Sequence, residues 1–154
     1  MSSDLWSFSL STYARPGVEP ACLQLQAQGA NVCLLLCAAW LGQRGVTCNA
    51  QRLQELRGVA DAWDFDVVRP LRDLRTQWKV TATKDADLHG LREAVKALEL
   101  QAERHLLLRL ERSAQSWPQN DGADLSAWLE GVTAGAAHLD RDTLHQLRVA
   151  VSST

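Results

Sequence analysis

"VCLLLCAAWLG", residues 32–42, is apolar on every side. At 100° per residue its side chains cover the whole circumference of a helix instead of one stripe, the pattern of a helix surrounded by protein. The run is about half the ~20 residues that a bilayer crossing needs. It therefore predicts a buried central helix over about residues 31–43, closed by "GQRG" at Gly45, and no membrane span.

Helical periodicity extends in both directions, and no segment alternates as a strand does. Upstream, a helix is expected from about Asp4 to Ala14, with Trp6, Leu10 and Tyr13 on one stripe and Leu5 and Phe8 beside it. "RPGVEP" interrupts it, since Pro16 and Pro20 cannot both lie inside one helix. Pro20 fits the first turn of a second helix, which carries Val18, Ala21, Cys22 and Leu25 and stops at Gly29. Downstream, Asn49 is a good N-cap for a helix with Leu53, Leu56, Ala60 and Trp63 on its stripe. Pro70 makes that helix kink, or end near Phe65 and restart towards Lys79 with Val67, Leu71, Leu74 and Trp78 inward.

After the turn "VTATKDAD" comes a long helix, about Asp87 to Gln115, with Leu88, Leu91, Val95, Leu98, Ala102 and Leu106 as a seam. "SWPQNDGAD" reads as a linker. Two shorter helices follow, about Asp124–Ala137 and Asp140–Val151. The expected fold is a single all-α domain of six to eight helices. Residues 1–116 form its main part, 117–123 a linker, and 124–154 an appended helical hairpin packed on the rest.

Bulk properties agree. The chain has 154 residues, 46% hydrophobic and 22% charged, which fits a globular domain with a real core. A net charge of −2 argues against general nucleic-acid binding. The start, "MSSDLWSFSL", has no basic segment of the secretory type, so a cytoplasmic location is expected. Cys22, Cys33, Cys37 and Cys48 form no CxxC and read as reduced, small core residues. The only lysines are Lys79, Lys84 and Lys96, so cationic work falls to arginine. That bias reflects either a GC-rich genome or a use for planar, bidentate pairing.

"AWDFDVVRPLRDLRTQWK", residues 62–79, concentrates the charge. Arg69, Arg72, Arg75 and Lys79 share a helical face roughly at right angles to the apolar one. Glu99 and Glu103, one turn apart on the next helix, are the expected structural partners of Arg72 and Arg75. The alternative is an outward stripe that binds an anion or an acidic partner. Asp61, Asp64 and Asp66 lie just upstream, with two readings: ligands for a hard cation, or a solvated helix end with Asp66 as N-cap. No second acidic cluster supports a metal site, and none is assigned.

The four histidines occur in no H-E-x-x-H or E-x-x-H, and no Walker A, G-x-G-x-x-G or G-x-S-x-G occurs. No cofactor and no catalytic residue is assigned. Of six tryptophans, Trp6, Trp40, Trp63 and Trp78 fall on apolar faces, whereas Trp117, beside Pro118, is a candidate contact residue.

"LWSFSLSTYARPGVEPACLQLQAQGANVCLLLCAAWLG", with the later "VVRPLRDLR" and "ALELQAER", resembles a family of short, uncharacterised, all-helical proteobacterial proteins over roughly residues 4–110. Tyr13–Val18 and Val68–Arg72 are its most specific strings. The resemblance implies a helical fold and a bacterial cytosol, and no reaction. It also implies polar residues, Asp and Asn, at the positions of Asn31 and Cys33; the second is a thiol here.

Two main functions stay open, beside a third, a regulator that touches nucleic acid, which would need a continuous basic face longer than the helix that ends near Lys79. The first is a non-enzymatic adaptor or regulator with a protein partner or a second copy. The second is a ligand-, phosphate- or metal-binding domain or enzyme built on Asp61, Asp64, Asp66, Arg69, Arg72 and Arg75. A pocket lined by both charge clusters favours the second, and a flat apolar patch around Trp117 or the last helix favours the first.

Overall fold

The computed structural model describes residues 4–119, 122, 124–134 and 139–152. Parts of the expected linker (residues 120, 121 and 123), the end of the helix expected to reach Ala137, and His138 lie outside them. The described residues form eight α-helices: α1 (Leu5–Tyr13), α2 (Val18–Ala27), α3 (Val32–Gln43), α4 (Ala50–Trp63), α5 (Arg69–Gln77), α6 (Ala86–Ala114), α7 (Leu125–Thr133) and α8 (Arg141–Ser152). Their only β pairing is one isolated bridge, Val46 with Gln119.

Side chains set the starts of four helices. Asp4, Asn31, Asn49 and Asp85 each accept a hydrogen bond from the backbone N–H three residues on, satisfying a donor that the first turn leaves free. Gly29, at φ 101°, takes the left-handed conformation that ends α2 and redirects the chain into α3.

The central helix is α3, buried without interruption from Cys33 to Gly42. Around it lie α1, α2, α4, α6 and α7. Gly42 lets α7 approach closely: an added Cβ would sit 2.6 Å from the Cα of Leu125. The last two helices touch each other and also pack on the rest of the fold: α7 lies along α3, and α8 lies mainly along α2. Their Trp128, Leu129, Leu144, Leu147 and Val151 belong to the same core cluster as α3. Trp128 is fully buried and donates its Nε1–H to the carbonyl of Val46 at 2.7 Å, so the ring brings its polar atom inside already paired. Half-buried Trp117 stacks on it with centroids 6.1 Å apart.

Pro70 neither ends the helix nor starts a new one. The chain runs from α4 to α5 through one π-helical turn, Asp64–Val68, in which Arg69 N–H bonds the carbonyl of Asp64. Widening the turn by one residue absorbs the mismatch that a proline ring creates in an i→i−4 ladder. Asp66, inside this turn, is exposed and is not an N-cap.

The expected seam of α6 is covered only in part. Ala102 and Leu106 are buried, with Leu107, Leu110 and Ala114 beyond them, whereas Leu91 is 58% and Leu98 50% exposed. α5 packs on α6 and on the π turn before it, and α5 with the part of α6 that faces it forms an arm of the fold.

Two glycines test this packing. Gly42→Ala is expected to lower the stability of the fold by about 1–3 kcal/mol, because α3 and α7 must separate. Gly90→Ala, in α6 with nothing within 4 Å of its added Cβ, is expected to raise stability by about 0.5–1 kcal/mol. Urea unfolding midpoints of the two variants measure both.

Candidate functional site

The arginine stripe divides. Arg72 Nε donates to Glu99 Oε2 at 3.2 Å, and Arg75 Nε donates to Glu99 Oε1 at 2.6 Å. The Glu99 side chain is 8% exposed, against 29% and 28% for the two arginines. One buried carboxylate therefore takes both cations, locking α5 to α6. Gln26, with its amide oxygen turned to the guanidinium, accepts from Arg72 Nε and Nη at 3.1–3.2 Å and brings α2 into the same network. Arg92 Nε donates to the carbonyl of Arg75 at 2.9 Å, a second tie between the arm's helices.

Arg69 takes a different partner, donating to Asp64 Oδ2 at 2.8 Å. Residues five apart lie on different faces of a regular α-helix. The π turn between them supplies the extra residue that brings one above the other. The Arg69 side chain is 56% exposed and that of Asp64 15%, so solvent screens the pair and its net contribution to stability is small.

Glu103 stands apart. It is one turn from Glu99 and partly buried, yet no hydrogen bond or ion pair reaches its side chain among the described residues. Its carboxyl is held above the ordinary carboxylate range, first by burial and then by the negative charge of Glu99. Beside it, the Cys33 thiol donates to the Glu103 backbone carbonyl at 3.7 Å. Burial raises that thiol, as it does those of Cys22 and Cys37, so none of the three is an activated nucleophile.

These groups meet around a polar cavity of about 280 Å³. Its walls are Gln26 and the Gly29–Asn31 turn, Cys33 at the start of α3, Asp61 and Asp64, Arg69 and Arg72, and Glu103. Five of the charged residues marked in the sequence, Asp61, Asp64, Arg69, Arg72 and Glu103, converge here. Asp66 and Arg75 do not line the cavity: the first is exposed on the π turn and the second bonds Glu99. Trp117 lines a separate pocket with Trp40, Arg44 and Glu111, and Arg52 lies over its ring at 5.1 Å. Sequence periodicity gave no sign of Gln26 or of the Gly29–Asn31 turn as walls. No group of three or more His, Cys, Asp or Glu side chains among the described residues is arranged to hold a metal ion.

The charges in this network do not cancel. Arg69, Arg72 and Arg75 are engaged by Asp64 and Glu99. Asp61 and Glu103 remain without a cation among the described residues. The cavity's unmet demand is for a positive charge or a strong hydrogen-bond donor.

Removing both cations from a buried carboxylate is costly: Arg72→Ala/Arg75→Ala is expected to lose about 3–5 kcal/mol of stability. Arg69→Ala is expected to change it by no more than about 0.5 kcal/mol, and urea denaturation separates the two cases. Glu103 gives a pH signature. Its pKa is raised in the folded state, so the fold binds that proton more tightly than the unfolded chain and loses stability as pH rises through the carboxylate range. Glu103→Gln is therefore expected to unfold at higher urea than the wild type at pH 7, with the gap closing as pH falls below 4.5, the ordinary Glu value.

No curated protein and no solved structure matches the chain. A family model described as "Protein of unknown function (DUF2390)" matches residues 4–110. That span contains every residue lining the cavity and all the strings that carry the family resemblance, and the chain belongs to this family.

Proposed function

We propose that this chain is a binding domain for a small ligand bearing a cationic group, with Asp61 and Glu103 as the residues that receive it. The observation that carries this reading is the imbalance in the cavity: two carboxylates without a cation stand beside arginines that are already engaged. A donor reaching Glu103 recovers the cost of its burial, and charge-assisted hydrogen bonds are the stronger kind. The cavity is small and concave, as ligand sites are. The Cys33 thiol beside the carboxylates is raised by burial and is not activated, so the reading is of binding. Four free cysteines favour a reducing compartment, the bacterial cytoplasm. No helix among the described residues is long and apolar enough to cross a membrane.

Ethylamine titrated into the protein at pH 7 is expected to give saturable chemical-shift changes at the cavity. Glu103→Gln should weaken that binding by about tenfold or more, the loss of one charge-assisted hydrogen bond. Acetate should leave the same signals unmoved. Equal responses to acetate, or an undiminished response in Glu103→Gln, contradict the proposal.

A second reading, of an interaction protein that pairs with its own copy, rests on the arm. No side chain of α5 is fully buried, and α6 exposes Leu91 and Leu98 two turns apart. Two such arms related by a two-fold axis would complete a four-helix bundle and cover those leucines. Sedimentation equilibrium is expected to give a dimer for the wild type and a monomer for Leu91→Glu/Leu98→Glu. A monomeric wild type removes this reading.

A further inference from the structure

An apolar chamber adjoins the polar cavity. It measures about 230 Å³, and Gln26, Val32, Cys33 and Glu103 line both spaces. Glu103 thus stands at the junction. On the far side are Trp6, Leu10, Tyr13, Leu36, Leu100 and Leu107. Two of these are large and open to solvent, Leu10 at 55% and Leu100 at 60%. They come from different helices, α1 and α6, and meet over one groove. Ser9 lines the groove too; its residue is 4% exposed and its hydroxyl is buried without a hydrogen-bond partner among the described residues.

An apolar surface meeting an unpaired carboxylate specifies a ligand with both characters. We infer that the ligand is an amphiphilic amine, with its ammonium group at Glu103 and Asp61 and its hydrocarbon part along Leu10, Leu36, Leu100 and Leu107. This rests on the cationic-ligand reading and adds the apolar half of the molecule. A carboxylate-headed amphiphile is disfavoured by the same two acids, and a purely polar amine leaves the groove uncovered. The charged and titratable groups facing Glu103 are Glu99 on its own helix, Arg72 and Arg75 from α5, Asp64 from the π turn, Cys33 from α3 and Tyr13 from α1. Only the two arginines are positive, and both already bond Glu99.

The test is a series of n-alkylamines from ethylamine to octylamine, with hexanoate as the control, titrated calorimetrically into the wild type, Glu103→Gln and Leu10→Gln/Leu100→Gln. Both leucines are exposed, so the double variant is expected to fold. Affinity should rise about fourfold per methylene until the groove is filled, the transfer free energy of a buried methylene. Leu10→Gln/Leu100→Gln should flatten that rise while leaving ethylamine binding unchanged. Affinity that does not change with chain length but is lost in Glu103→Gln overturns the amphiphile and leaves the polar site standing. Binding of hexanoate as tight as that of hexylamine, or binding indifferent to Glu103→Gln, overturns both.

Discussion

A carboxylate withdrawn from water must be paired, and the pairing of Glu99 with Arg72 and Arg75 governs the rest of the site. It holds α5 against α6 where few apolar side chains are available to do so, since α5 buries none completely. Together with the Arg69–Asp64 pair, it engages both cations that line the cavity. Glu103, one helical turn further on, is then left with burial and no partner, and Asp61 faces the same space with none. Structural necessity at one glutamate thus produces the electrostatic character of the cavity at the next.

Pro70 acts on the same region through the backbone. Its ring and missing N–H are accommodated by a π turn, and that turn aligns Asp64 with Arg69. Without the extra residue the two would lie on different faces and the cavity would have another wall. The wide turn is therefore both the consequence of a proline inside a helix and the device that shapes the site.

The central helix was legible because an all-round apolar run of that length has no other soluble solution. The caps at Asn31 and Asn49 follow from the chemistry of short polar side chains. The arginine bias also has an account in the fold: Arg44, Arg52, Arg104 and Arg109 lie over the rings of Trp40, Trp117, Trp6 and Trp63, a use for planar cations that lysine serves less well. Other features have no sequence period. Periodicity reports that Leu91 and Leu98 share a face, but not whether anything covers it. Glu99 and Glu103 look equivalent on paper, and only the packing of α5 decides which of them takes both arginines. A π turn leaves a proline as its trace, with nothing to distinguish it from a kink. The contribution of Gln26 from α2 arises from tertiary proximity alone.

Glu103 is the group on which the account turns, and its side-chain carboxyl can be followed directly by carbon-detected NMR through a pH titration. An apparent pKa above the ordinary Glu value of 4.5 is expected in the free protein, falling when hexylamine is added because a bound cation favours the ionised form. A Glu103 carboxyl that titrates at the ordinary value, and does so with or without the amine, would contradict it.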